Sequence, residues 1–406
     1  MFYHVAKALF IGSVLGGLCL PVQANSTNVA EPVATTASVA PSTSTPDAPL
    51  QFGPVTGAVS IPTTEILPLK PLVRMSLLLP LQSDALRQPA EALRAGFLAA
   101  FERDQAGIEV NVVETSDAPQ DVLSAYNKAA AQSDIVIGPL SRSGVTALAQ
   151  SGNISKPTIA LTQPDAEVEA PPKMLLMGLS VEDEAKQAAI WAGKDKSKTK
   201  AFVLATSAAW QQRAAKAFAA EWQRMGREQE MVEINAPGGY LNGRSLLELK
   251  KRIQSDKSTL LFAALDADQA MHVRAIVGSQ IPLYGTSQLN PFALSERRAE
   301  EPAIAMDGTR LLDIPWQLQP DHPAVMIYPR PVVSADQKRS ADLERLYALG
   351  IDAFRVGREI AYDHTNFQLD GVTGKLTVRF GQKTAFFERS TPHAVYRDGG
   401  VVAATQ

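Results

Sequence analysis

The chain has 406 residues, room for two domains of ordinary size, and its 45% hydrophobic and 20% charged content lets it bury a sizeable core. A formal net charge of −3 gives no electrostatic footprint for nucleic acid and no attraction to an anionic membrane surface. The only cysteine, Cys19, lies so early that disulfides, thiolate metal sites and cysteine nucleophiles are excluded from the body of the chain.

Residues 1–24 read as an export signal. Lys7 supplies a weak positive region, Ala8 to Leu20 an apolar core, and Val22-Gln23-Ala24 a small-residue cleavage site before Asn25. The apolar core is shorter than the roughly 20 residues of a membrane span, and no later stretch is long and apolar enough to cross a bilayer. Gly16-Gly17-Leu18-Cys19 is a poor match to a lipidation site, so cleavage after Ala24 is expected in preference to an outer-membrane lipid anchor at Cys19. Residues 25–72 are rich in Pro, Ala, Ser, Thr and Val. Such a segment cannot offset its own ordering entropy and reads as a disordered linker, at most roughly 150 Å long in the polyproline limit.

From Val73 the pattern alternates between strands and helices. Arg74 to Ser83 is a short, strongly apolar strand closed by Pro80 and followed by a helix-like run from Pro89 to Arg103, the opening of a parallel α/β sheet. Strands are expected at Ile108 to Glu114, Asp134 to Gly138, Thr158 to Leu161 and Met174 to Gly178, with helices between them. Ser180 begins a long helix, with Asp183 three places on in a capping-box arrangement and Glu182, Asp183 and Glu184 where the helix dipole favours acids. A second α/β series runs from Ala201 to Gly285. Five prolines between Pro315 and Pro331 imply an irregular crossing segment. Asp342 to Tyr362 is a helix whose inward face carries Gly350 and Gly357, small enough for close backbone approach, and hairpin signals follow at Leu369-Asp370-Gly371 and Asp398-Gly399-Gly400.

The usual constellations of enzymes do not occur. No HExxH, Walker A, GxGxxG, EF-hand or GxSxG pattern is present, and His272, His322, His364 and His393 form no pair with metal spacing. Ser197-Lys-Thr-Lys200 satisfies S-x-x-K but sits in a lysine-rich loop with no KTG or SDN partner. No catalytic residue, metal or cofactor is expected. Trp191 and Trp222 fall at helical spacing and read as core; Trp210 and Trp316 suit a cleft as well as plain packing. Two open α/β lobes would place a ligand at strand C-termini facing the gap. By position that set is Gln82, Ser83, Ser141, Thr162, Gln163, Ser207, Trp210, Ser287 and Gln288, which could bind a small polar molecule.

The folded part resembles the C-terminal domain of the penicillin-binding protein activator (LpoA) family. The likeness rests on Leu77-Leu-Leu-Pro-Leu81, Gly138-Pro-Leu140, Gly178-Leu-Ser-Val-Glu-Asp-Glu-Ala-Lys-Gln-Ala-Ala189, Tyr284-Gly-Thr-Ser-Gln288, Asp313-Ile-Pro-Trp316, Tyr347-Ala-Leu-Gly-Ile-Asp-Ala-Phe354 and Gly371-Val-Thr-Gly-Lys375, in order over more than three hundred residues. The resemblance implies a type I periplasmic-binding-protein fold, α/β, with two doubly wound parallel-sheet lobes around a cleft. The lobes are expected at about 73–179 with 310–365, and about 180–309 with 366–406. It also implies a non-enzymatic periplasmic regulator that binds a class A penicillin-binding protein, a peptidoglycan synthase, and stimulates cell-wall synthesis. The better-known members carry a helical-repeat domain and a lipidation site ahead of this domain, and the sequence departs from them on both counts. The competing reading is a solute-binding protein of an amino-acid ABC transporter; an orphan enzyme is the weakest.

Overall fold

The computed structural model describes residues 72–253, 257–290, 303–331, 340–381 and 385–404, so the expected leader and all but the last residue of the linker lie outside the described residues. The first sheet is built by β1 (Val73–Leu79), β2 (Ile108–Glu114), β3 (Ile135–Ile137), β4 (Thr158–Ala160) and β5 (Met174–Leu176). The helices α1 (Arg87–Arg103), α2 (Pro119–Gln132) and α3 (Arg142–Gln150) connect them. All pairings are parallel and the order is β2-β1-β3-β4-β5. β1 is an interior strand, buried at every position but Arg74, which is why its sequence is a continuous apolar run rather than an alternating one.

The second half follows α4 (Val181–Ala192). Its parallel strands are β6 (Lys200–Ala205), β7 (Glu228–Glu233), β8 (Thr259–Ala263), β9 (Leu283–Gly285) and β10 (Arg310–Leu312), connected by α5 (Ala209–Arg224), α6 (Gly243–Ile253) and α7 (Ala267–Val277). The chain then crosses back through two short helices, α8 (Pro315–Leu318) and α9 (Pro323–Met326), and the long α10 (Ala341–Ala361). Proline stands at the first position of both short helices, where its missing N–H is an unsatisfied donor anyway; the expected irregular crossing is partly helical for that reason. After α10 come β11 (Asn366–Asp370), β12 (Lys375–Phe380) and β13 (Ala385–Ser390), an antiparallel sheet of their own, and then β14 (His393–Arg397) and β15 (Gly400–Ala403). The last two join the second sheet, in the order β15-β14-β10-β9-β8-β6-β7.

The sheets divide the end of the chain differently from the expected lobes. Arg310 to Leu312 lie between β9 and β14, so they belong to the second sheet. The strands β11, β12 and β13 pack on the first core. β12 alternates, and its buried Leu376, Val378 and Phe380 share one cluster with β1 and α10. A two-residue period tells which side chains are buried together but not which core receives them.

α10 holds the first half together from outside its sheet. It crosses α1 so closely that a Cβ on Gly350 would lie 2.1 Å from the carbonyl oxygen of Leu93, and one on Gly96 would overlap the carbonyl of Tyr347. The Phe97 and Phe354 rings then meet edge-on at 5.4 Å, each side chain burying an area worth roughly 2–3 kcal/mol.

Candidate functional site

In an open α/β sheet, ligands dock beyond the C-terminal ends of the strands. The ends of β9 and β10 carry Ser287 and Asp313, and what meets them is the protein's own Arg345, from the second turn of α10. Its guanidinium grips Asp313 with both forks, Nε to Oδ1 at 3.0 Å and Nη2 to Oδ2 at 2.7 Å. Nη2 also donates to the Ser287 carbonyl at 3.0 Å, and Nη1 to Asp342 at 2.8 Å. The remaining acceptor capacity of Asp313 is used by Asn290 Nδ2 at 2.7 Å and the Ile314 N–H at 2.8 Å. Side-chain exposure is 5% for Arg345 and 0% for Asp313, so this pair is held in a region from which water is excluded.

Glu184, in the first turn of α4, completes the cluster by accepting the Ser287 N–H at 2.8 Å. Burial pushes its pKa up to about 7, against the pull of the Ser287 amide. Burial works against the charge of Arg345 as well, but Asp313, Asp342 and Glu184 outweigh it and hold the guanidinium above its ordinary value. α10 is anchored on α1, whereas Ser287 and Asp313 leave the second sheet, so this network ties the two halves. Satisfied on every side, it is suited to holding a geometry. It presents no activated nucleophile, and among the described residues no group of three His, Cys, Asp or Glu is placed to hold a metal.

A second feature is a groove of about 560 Å³ between α4 and β13. The Ala185, Ala188, Ala189 and Ala192 face of α4 packs against Ala214, Ala215, Phe218 and Trp222, leaving Asp183, Lys186, Gln187, Ile190 and Trp191 turned to the groove. Trp191 stacks on His393 with ring centroids 4.1 Å apart and planes 3° from parallel. Burial, with Lys194 nearby, keeps the His393 pKa below its usual value. The Glu182-Asp183-Glu184 run therefore has three destinations. Glu182 pairs with Arg213 at 2.6 Å, Asp183 with Lys186 at 3.0 Å, and Glu184 enters the buried cluster. Ser180 caps the helix by accepting from the Asp183 N–H at 3.1 Å.

The residues expected around the cleft are dispersed among these features. Ser287 and Gln288 belong to the ionic cluster, where Gln288 Nε2 reaches Asp342 at 3.5 Å. Gln163 lines the groove. Ser83 and Ser141 serve local turns, accepting from Leu86 N–H at 3.2 Å and Gly144 N–H at 3.3 Å. Gln82 and Ser207 are exposed, and Thr162 and Trp210 half-buried. Of the tryptophans, Trp222 and Trp316 are fully buried while Trp191 lines the groove. Helical spacing placed Trp191 in the core; it is half-buried, packed against the α4–α5 core on one side and lining the groove on the other. Sequence reasoning passed over Arg345 and Asp313 as site residues; the available signal was a lone aspartate inside Leu311-Leu312-Asp313-Ile314-Pro315-Trp316, an acid in an otherwise apolar run.

Another buried carboxylate, Asp352, fastens the small sheet. It accepts from the Val372 N–H at 3.1 Å, the Thr373 N–H at 2.8 Å and the Thr373 hydroxyl at 2.7 Å, with Arg355 at 3.2 Å. Arg389, whose pKa burial lowers to about 10, donates to the Met177 and Gly178 carbonyls at 2.9 and 2.8 Å and so pins β13 to the end of β5.

Residues 58–399 match the model of the family described as "LppC putative lipoprotein". The chain is 27% identical over 341 residues to the penicillin-binding protein activator LpoA of Haemophilus ducreyi, covering 81% of this chain and 54% of that protein. It thus spans about half the length of the curated relatives it matches. It is 35% identical, with a TM-score of 0.62, to a solved structure from Chromobacterium violaceum described as a putative branched-chain amino acid ABC transporter, covering 80% of this chain and 99% of that one. The LpoA C-domain from Haemophilus influenzae, described as a regulator of PBP1A, superposes with a TM-score of 0.64 at 22% identity, covering 82% of this chain and 100% of that one. The fold is the type I periplasmic-binding-protein fold, as the sequence resemblance implied.

Proposed function

This chain belongs to the LppC family, and on that footing we propose that it is an exported, non-enzymatic regulator that binds a class A penicillin-binding protein in the periplasm and stimulates peptidoglycan synthesis. The names of its relatives, penicillin-binding protein activators in several species, support this reading. The observation that carries it is the Arg345–Asp313 cluster. A solute receptor of this fold works by closing its lobes on a ligand, whereas here a buried, bidentate ion pair already joins them at the ends of β9 and β10. A protein joined in this way offers a partner a preset surface, and activation follows if that surface binds the active conformation of the synthase more tightly than the resting one.

The second reading, an amino-acid receptor, is favoured by the 35% identity to the Chromobacterium violaceum protein. On that reading Gln82, Ser83, Ser141, Thr162, Gln163, Ser207, Trp210, Ser287 and Gln288 would hold the ligand, and the Arg345 cluster would have to open or serve as part of the site. One experiment separates the two. The mature chain should capture a purified class A synthase of the same cell and raise its glycan-polymerisation or cross-linking rate. No effect on any such synthase, together with tight binding of an amino acid by calorimetry, selects the receptor. The leader is assigned to cleavage after Ala24, which discards Cys19. Palmitate labelling of the expressed chain that disappears in Cys19→Ser would overturn that assignment and place the protein on a lipid anchor.

A further inference from the structure

Five consecutive residues of β13, Phe386 to Ser390, border the groove opposite α4. Successive residues of a strand face opposite ways, so five in a row can line one space only along the strand's edge. Among the described residues β13 is terminal in its sheet and pairs with no strand but β12. Gln187 of α4 shows the direction of that edge: its Nε2 donates to the Arg389 carbonyl at 3.1 Å, and its Oε1 accepts from the Thr391 N–H at 3.0 Å. In an antiparallel pair the N–H and C=O of a residue point the same way, and alternate residues share that direction. The backbone groups of Phe387 therefore point into the groove too, and those of Ala385 point the same way. The carboxamide of Gln187 stands where one residue of a neighbouring strand would be, and the next two positions along the edge have no neighbour in the sheet.

The surroundings of this edge specify what would complete it. Ile190 is 47% and Phe386 38% exposed, large apolar side chains beside unpaired backbone. Lys186 pairs with Asp183 at 3.0 Å and Arg224 bonds Glu221 through its Nε at 2.9 Å, but among the described residues neither Glu388 nor Lys194 has an ion-pair partner. Resting on the reading that the partner is a class A penicillin-binding protein, we propose that an extended segment of that synthase adds to β13 as a further strand. Alternate apolar side chains of the segment cover Ile190 and Phe386, and a cationic one meets Glu388. Strand addition of this kind takes its affinity from main-chain bonds and its specificity from alternate side chains.

The test is binding of the purified synthase to the mature chain and to Ile190→Glu, Glu388→Lys and, as a control exposed outside the groove, Leu247→Glu, each first matched to the parent in thermal melting. Ile190→Glu and Glu388→Lys are expected to raise Kd at least tenfold, Leu247→Glu less than twofold. Hydrogen exchange of 385–390 should slow in the complex while that of β11, the opposite edge, is unchanged. Unchanged Kd for both groove variants, or protection that spares 385–390, overturns the inference and leaves the proposed function standing. A parent chain that binds no class A synthase overturns both. Dimerisation of the mature chain in sedimentation, abolished by Ile190→Glu, would make a second copy of the chain the occupant and also overturn the inference.

Discussion

Arg345→Ala removes a guanidinium that is 5% exposed and leaves the fully buried carboxylate of Asp313 with only Asn290 and the Ile314 amide as donors. Deleting one half of a buried pair costs about 3–5 kcal/mol, because the surviving charge keeps its desolvation penalty. For a folded unit of this size the entropy of unfolding is roughly 0.7 kcal/mol/K, so the midpoint should fall by about 4–7 °C. Removing both charges with apolar replacements, Arg345→Met with Asp313→Leu, should recover most of the loss, since a buried pair contributes little net over a packed apolar one. Urea denaturation followed by circular dichroism at pH 7, with thermal melts alongside, measures all three variants. The reasoning is refuted if Arg345→Ala stays within about 1 kcal/mol of the parent, or if the double variant costs as much as its single changes added together.

Glu184 makes stability depend on pH. Its folded pKa of about 7 lies above the usual 4.5, so the native state holds a proton that the unfolded chain has released between those values. Its contribution is fully present below about pH 4.5 and is lost as pH rises through 7. Glu184→Gln keeps the acceptor for the Ser287 amide and should stabilise the protein by about 2–3 kcal/mol at pH 8 while changing little at pH 4.5; equal effects at both pH values in urea titrations would contradict the assignment. Gly350→Ala places a methyl against the Leu93 carbonyl and is expected to cost about 1–3 kcal/mol or more, whereas Gly152→Ala, with nothing within 4 Å but a φ of +68°, should cost about 1 kcal/mol from backbone strain alone. Asp352→Ala strands the Val372 and Thr373 amides and should speed hydrogen exchange across 366–390 with less change in β6 to β9; uniform acceleration over the whole chain would show that the small sheet has no separate fastening.

The order of strands and helices was readable in the chain because burial on both faces writes itself as short apolar runs, as in β1 and β3, and because Ser180 and the Pro119 start carry their own local signals. Gly350 likewise advertised a close crossing before its partner at Leu93 was visible. Local pattern could not say that β12 packs on the first core, that Trp191 faces a groove, or that Asp313 and Arg345 meet across 32 residues of chain. Those facts depend on long-range register. A strand's period and a helix's stripe record which side chains share a face, and only the assembled sheets decide what that face is pressed against. So the sequence by itself determined the elements and the family to which they belong; tertiary structure alone decided that the ends of β9 and β10 are closed by an ion pair and that one edge of β13 is left open.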